Sequence, residues 1–421
     1  MEKYNIVVVG GGPAGMMAAV KAAERGCSVL LLEKMERCGR KLSITGKGRC
    51  NLTNTKEWSD FSTHIYPQPD FLRPAFWGFS NQAVVEFFSQ MGIETVVERG
   101  DRLFPVCQDA RKVAEALEKW IKKQGVNVST GGKVSRLEVA NGRIISVHYT
   151  KNGANRLVEA DAVILATGGL SYPLTGSTGD GYTVAEAAGH AIAPCFPSLT
   201  ALMPKEYDCR LQGVTLTNIS LSLLVNSKVV QEEFGEVAFT DLGIEGPLGL
   251  RLSRNAVVAM RNGAKVSIVL NLKPAISREQ LEARLRLEIK QFNNEVIQIF
   301  LKRYLPNNLI LSFINTISVK HNTLIRSISI ENIQILLQRL QYWEFPIGSH
   351  GGYERAVVTA GGVSLKEIHK RNMQSKMIEN LFFAGEIIDL DGDTGGYNLQ
   401  IAFSTGALAG VGAAGLLNRK A

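Results

Sequence analysis

The chain of 421 residues predicts an α/β fold: a discontinuous Rossmann-like nucleotide-binding domain interrupted by an insertion with a strand-rich and a helix-rich part. Three observations predict it. A strand, glycine turn, helix and second strand open the chain; segments of the same style return after residue 346; and the stretch between them shifts from an alternating to a helical apolar period. The division expected is 1–195 with 346–421 for the nucleotide domain and 196–345 for the insertion, strand-rich over 196–275 and helical over 276–345.

The opening unit carries the most information. Asn5-Ile6-Val7-Val8-Val9 is a short buried-strand pattern, Gly10-Gly11-Gly12-Pro13-Ala14-Gly15 follows, an apolar-faced helix runs to about Arg25, and Val29-Leu30-Leu31-Leu32 ends on Glu33. Gly10, Gly12 and Gly15 occupy the three positions of G-x-G-x-x-G: one for the tight turn, one for backbone approach to a pyrophosphate, one for close helix packing. The helix N-terminus favours phosphate, and Glu33 can accept from a ribose diol. A strand, turn and helix with no ligand is the bland alternative.

Composition agrees with a globular enzyme of two or three domains, since 421 residues exceed one ordinary core. No apolar run is expected to reach the roughly 18 residues that span a bilayer, and a nucleotide strand at residue 5 leaves no room for a secretory signal. Six cysteines without a C-x-x-C suggest a reducing, cytoplasmic setting. The formal charge of +8 permits an anionic partner such as RNA, although a solvated face or the phosphate site itself could account for it. The six histidines show no H-x-x-x-H, so no metal site is expected.

Two loops and a turn stand out. The segment from Cys38 to Asn54 is dense in Gly, Arg, Lys, Ser, Thr and Asn and has no regular period, which suits a loop wrapped around an anion; a basic surface loop is the plainer reading. Arg40 and Lys41 could neutralise a pyrophosphate, and Gly46 and Gly48 would let the backbone lie against a flat ring. After strand-prone pieces from Val126 to Asp161, the buried run Ala162-Val163-Ile164-Leu165 delivers Thr167-Gly168-Gly169 and a hydroxyl-rich loop to Tyr182. Leu199 to Leu272 reads as strands and Ser277 to Trp343 as helices. Val357 to Val363 and Leu381 to Glu386 are again strands entering glycine turns, followed by an acidic turn, Gly395-Gly396 and a small-residue helix to about Leu417. The acids lack the spacing of a calcium loop and instead suit the ribityl chain and pyrimidine edge of a flavin.

These segments together resemble the two-dinucleotide-binding-domain flavoproteins, and within them the bacterial BaiN and aminoacetone-oxidase family of FAD-dependent oxidoreductases. The resemblance rests on GGGPAG with Glu33, GRKLSITGKGRCNLTN at 39–54, GDRLFP at 100–105, ATGGLSYPLTGSTGDGY at 166–182, FTDLGIEGP at 239–247, VTAGGV at 358–363 and AGEIIDLDGDTGGYNLQ at 384–400. It implies FAD as cofactor, an insertion built as a β-barrel plus helices, and NAD(P)H as an option for the reductant. It puts Ala14, Glu33 and Lys34 on the ADP half, Arg40 and Lys41 beside the phosphates, and the backbone of Val134 at the adenine. Thr167 and Gly168 would line the nucleotide; Gly48, Cys50 and Asn51 would approach the flavin; and Gly385, Glu386, Asn398 and Leu399 would line the ribityl and ring. One departure is Asp241 and Glu245, where family versions of that loop often carry His and Ser.

The resemblance implies either reduction of a conjugated C=C, in a steroid-type enone or the uracil of ribosomal RNA, or oxidation of a small amine by oxygen. A flavin-binding protein without turnover is the third class. Reduction needs an acid. Cys50, with Arg49 to tune it, and Tyr172 are candidates, and Arg102 could orient a carbonyl; each also has a structural reading, as packing or an ion pair. A disulfide reductase is disfavoured, because no C-x-x-x-x-C follows the first helix, and no second complete G-x-G-x-x-G appears near residue 160.

Overall fold

The computed structural model describes residues 2–418, and by internal contacts the chain divides into two compact units, Met1–Pro197 with Val357–Ala421, and Ser198–Ala356. The first unit is organised by a sheet whose five central strands are all parallel, in the order Leu381–Phe383, Ala154–Leu165, Lys3–Val9, Val29–Glu33, Asn127–Thr130. Strands buried on both faces read as unbroken apolar runs, and Ile6, Val7 and Val8 are wholly buried. The strand-prone pieces before Asp161 form an antiparallel meander, Gly132–Ala140, Arg143–Lys151 and Ala154–Leu165. Its third strand runs on into the parallel sheet. Buried Asn380 ties the two parts together: its side chain accepts from the Ile144 N–H at 2.7 Å and donates to the Ile144 and Asp161 carbonyls at 2.8 and 2.9 Å.

Helix Pro13–Ala23 and the last helix, Tyr397–Asn418, pack at backbone distance. A Cβ on Gly406 would stand 2.3 Å from the Ala14 carbonyl oxygen, and one on Gly410 the same 2.3 Å from that of Ala18. This last helix corrects one sequence expectation, because it is long and apolar enough by length and composition to cross a membrane, with mean hydropathy 1.4. Its glycines, serine and threonine disguise the run. Within the protein 67% of that window is buried, which accounts for its apolar character as core packing.

In the second unit six strands form a closed barrel: Leu202–Pro204, Gly243–Glu245, Lys228–Thr240, Thr215–Val225, Val266–Asn271 and Trp343–His350. The last of these straddles the 345/346 division expected from sequence, because Ser267 pairs with Pro346 and Leu202 with His350. The helical segment is therefore an excursion between the fifth and sixth barrel strands in sequence. Helix Gly246–Arg261 sits among the strands where sequence suggested strands alone; it starts with Pro at its first turn and buries Leu248, Leu252 and Ala256.

Candidate functional site: a cradle for a dinucleotide

The glycine motif divides into two tight positions and one open one. A Cβ on Gly10, where φ is 104°, would lie 2.5 Å from the Ala166 carbonyl oxygen, and one on Gly15 only 1.9 Å from that of Gly10. At Gly12 nothing lies within 4 Å. Gly12 is also the N-cap of helix Pro13–Ala23, which has no side-chain cap and no acid in its first turn. Unanswered N–H groups therefore face an open space, the arrangement that receives a phosphate.

Glu33 stands beside this end. One carboxylate oxygen accepts from the Gly11 N–H and the other from the Met35 N–H, both at 2.7 Å. Burial pushes the carboxyl above its ordinary range, against the pull of those two N–H groups. Lys34 reaches across to the hydroxyl loop, donating to Thr178 at 2.6 Å and to Asp180 at 2.8 and 2.9 Å. Burial pushes Asp180 up, but Lys34, the Thr178 hydroxyl and a backbone N–H together outweigh it and leave the carboxyl below its usual range.

The C-terminal segment meets this cradle at Ala14, since a Cβ on Gly385 would lie 2.6 Å from the methyl of Ala14. Glu386 then anchors a buried polar knot. Its carboxylate accepts from Lys41 Nζ at 2.7 and 3.0 Å, Ser171 Oγ at 2.6 Å and the Thr359 N–H at 2.8 Å. Thr359 Oγ1 in turn accepts from the Leu170 and Ser171 N–H groups at 2.8 and 3.0 Å. Loop, strand and turn are thus held in one register. Ser171, Thr359 and Asp180 escaped sequence reasoning because a single hydroxyl or carboxylate carries no pattern; only the tertiary fold gives them their partners.

The basic loop departs from its expectation in detail. Residues Leu42–Gly48 form a 3-10 turn broken at Thr45, Gly46 and Lys47, and Cys50 holds a positive φ of 64°. Arg40 pairs with Glu36 and donates to the Leu174 carbonyl at 2.9 Å, so its charge, like that of Lys41, meets a carboxylate of this chain. Arg49 does not tune Cys50: it pairs with Glu98, donates to Gln108 and lies 4.1 Å over the Phe104 ring. The Cys50 thiol is wholly buried, and burial pushes it up to about 12. Arg102 donates from Nε to the Arg99 carbonyl at 2.9 Å and flanks Phe104 at 5.7 Å. Tyr172 turns the hydroxyl loop in a left-handed conformation, φ 53°.

Among the described residues of this unit, two buried side-chain oxygens, Asn51 Oδ1 and Thr167 Oγ1, have no hydrogen-bond partner. Orphaned buried acceptors at loop positions point to a missing polar ligand. Gly48 adds a second open glycine, φ 85° with nothing within 4 Å of a Cβ, whereas the Gly168 Cβ would meet Ser177 Oγ at 3.0 Å. Asn398 holds the acidic turn, accepting from the Gly392 N–H at 2.9 Å and donating to its carbonyl at 2.7 Å; Leu399 follows it, half-buried. Val134 is buried opposite Tyr149, and the strand register slips immediately after it. Among the described residues no group of His, Cys, Asp or Glu could hold a metal ion.

An open glycine at an uncapped helix, another on the basic loop, a half-buried ribose-type acid and orphaned oxygens on two loops fit an FAD of the Rossmann-type flavoproteins, and the chain is an FAD-dependent oxidoreductase. It belongs to the HI0933-like family: residues 4–412 match the HI0933-like protein Rossmann domain. It is 31% identical over 413 residues to a 3-dehydro-bile acid delta(4,6)-reductase of Clostridium scindens, covering 97% of this chain and 99% of that protein. It is 28% identical over 408 residues to the ribosomal RNA dihydrouridine synthase of Haemophilus influenzae, covering 96% and 97%. The fold is shared with the 3-ketosteroid delta1-dehydrogenase of Sterolibacterium denitrificans, at TM-score 0.55 and 13% identity over 99% of this chain and 100% of that one. The 3-ketosteroid-delta4-(5alpha)-dehydrogenase of Rhodococcus jostii gives 0.54 and 15% over 98% and 97%.

Proposed function

We propose that this chain reduces a carbon–carbon double bond conjugated to a carbonyl, in a steroid-type enone or in a uracil base of ribosomal RNA. The observation that carries this reading is the end-to-end similarity to relatives named for both activities. The two substrates share one feature: a double bond made electron-poor by a neighbouring carbonyl, at which hydride adds to the far carbon and a proton to the near one.

When bound and reduced, FAD would supply the hydride. The chain supplies the rest. In this reading the N–H groups after Gly12, with Glu33 and Lys34, hold the ADP half, and Val134 offers its backbone to the adenine. Arg40 and Lys41 lie along the phosphates, with Thr167 and Gly168 lining the nucleotide. Gly48, Cys50, Asn51, Gly385, Glu386, Asn398 and Leu399 bound the flavin half. NAD(P)H as electron donor belongs to the same proposal. A thiol at about 12 is a poor match to proton transfer near neutrality, so the reading assigns packing to Cys50 and the proton to Tyr172, whose neighbour Ser171 is locked to Glu386.

The test is anaerobic photoreduction of the holoenzyme followed by mixing with a 3-keto-Δ4 steroid, ribosomal RNA or oxygen. Reoxidation by the enone or the RNA, slowed in Tyr172→Phe without loss of photoreduction, is the expected result. Rapid reoxidation by oxygen alone, with neither acceptor consumed, overturns the proposal in favour of an oxidase.

A further inference from the structure

The helical part of the insertion carries a groove none of whose lining residues belongs to the dinucleotide cradle. Its cavity is about 560 Å³ and is walled by helix Asn307–Asn315, the short helix Ile297–Phe300, the turn at Arg210 and the loop from Val319 to Asn322. The loop is turned by Ser318 in a left-handed conformation, φ 55°. The floor is aliphatic: Leu311, Ile314 and Val319. Leu311 is 39% exposed on a helix whose other large apolar residues are buried, so the floor opens to solvent.

The rim is chemically one-sided. Lys320 and His321 lie beside Asn322 on the loop, with Asn315 and Gln298 opposite, and no acid lines the cavity. Arg210 is held in a two-pronged pair by Asp208, at 2.7 to 3.1 Å, and contributes shape more than charge. The side chains of Lys320, His321, Asn315, Asn322 and Gln298 have no hydrogen bond or ion pair within the described residues. One ammonium, one imidazole and three carboxamides thus point their capacity outward around an apolar floor.

We propose that this groove binds a single-stranded segment of RNA, with a phosphate on Lys320, a base laid on the aliphatic floor, and its edge met by the carboxamides. Amides offer both a donor and an acceptor, which suits the mixed edge of a nucleobase, and unpaired RNA presents such edges. Lack of any lining carboxylate disfavours a cationic partner, and the unpaired Lys320 on the rim favours a polyanion, in keeping with the overall charge of +8. The inference rests on the ribosomal RNA arm of the proposed function and locates where that substrate is gripped apart from the base that reacts.

The experiment uses FAD-loaded holoenzyme and a fluorescein-labelled, uridine-rich single-stranded oligoribonucleotide, titrated over a range of salt. Lys320→Glu should lower affinity about 10-fold or more near 0.1 M salt and reduce the salt slope by about one. The pair Asn315→Ala with Asn322→Ala should weaken binding at every salt with the slope unchanged. All these positions are exposed, so FAD content and enone reduction, measured on the same preparations, should match the parent. Failure of the parent to bind RNA, or Lys320→Glu binding as tightly as the parent, overturns the proposal. The enone assay is independent of the groove, so a protein that binds RNA here but reduces nothing would sink the proposed function and leave this inference standing.

Discussion

Gly12 offers the sharpest perturbation of the cradle, because the structure separates its effect on folding from its effect on the cofactor. Its φ of −76° and ψ of −179° are open to any residue, and a Cβ there meets nothing within 4 Å. Gly12→Ala should therefore leave the apoprotein close to parental stability. Lower entropy in the unfolded chain favours alanine by roughly 0.4–1 kcal/mol, and the poorer N-cap offsets a similar amount. The methyl group projects into the space before the free N–H groups, where the diphosphate would lie. Keeping it out of reach of two hydrogen bonds to a charged group, at about 1.5–3 kcal/mol each, predicts FAD affinity reduced by at least 10²-fold. Gly15→Ala is the contrast: its Cβ would stand 1.9 Å from a backbone oxygen, so the apoprotein itself should lose more than about 3 kcal/mol. Chemical unfolding of both apoproteins and fluorescence titration with FAD separate the two. A Gly12→Ala protein that unfolds like the parent and binds FAD equally well would refute the placement of the diphosphate.

Three further outcomes follow from named contacts. The Glu33 carboxyl is raised by burial, so the folded apoprotein holds that proton more tightly than the unfolded chain; its contribution is favourable below the ordinary carboxylate range and is lost as pH rises through the folded value. Apo stability should fall relative to Glu33→Gln across that window, while FAD affinity, which uses the ionised form, rises; parallel pH profiles for parent and variant would contradict this. Asn380→Ala strands the buried Ile144 N–H and two carbonyls and should cost about 3 kcal/mol in urea melts, with no change in the flavin spectrum of the folded fraction. Cys50, wholly buried and pushed up to about 12, should resist iodoacetamide in the folded protein while exposed Cys107 and Cys209 react, as peptide mass mapping would show; rapid Cys50 labelling would reopen its candidacy as a catalytic acid.

The parallel sheet and its glycine turns were legible from sequence because each signal is local. A strand buried on both faces is an apolar run, and the turn that follows it must be glycine where a Cβ would strike backbone, as at Gly10 and Gly15. Signals spread over distant segments were not legible. Trp343–His350 closes the barrel more than 70 residues after its neighbour Val266–Asn271, and Pro346 in its middle, which pairs with Ser267, weakens the local strand signal. The chemistry shows the same division. Glu33 was marked by its place after a strand, whereas the partners of Lys41, Arg40 and Arg49 are set by tertiary approach. The thiol of Cys50 looked reactive beside an arginine only while the direction of that arginine was unknown.

The pairing of helices Pro13–Ala23 and Tyr397–Asn418 also bears on how the protein is made. The glycine turn is synthesised roughly 390 residues ahead of Gly406 and Gly410, on which Ala14 and Ala18 rest. At about 5–20 residues per second, the nascent turn waits roughly twenty seconds to over a minute for the helix that completes its shelter. Throughout that interval its apolar face is open to chaperones and to neighbouring chains. A stop codon anywhere before the final helix should therefore yield a polypeptide that takes up no cofactor and aggregates, however complete its first 390 residues.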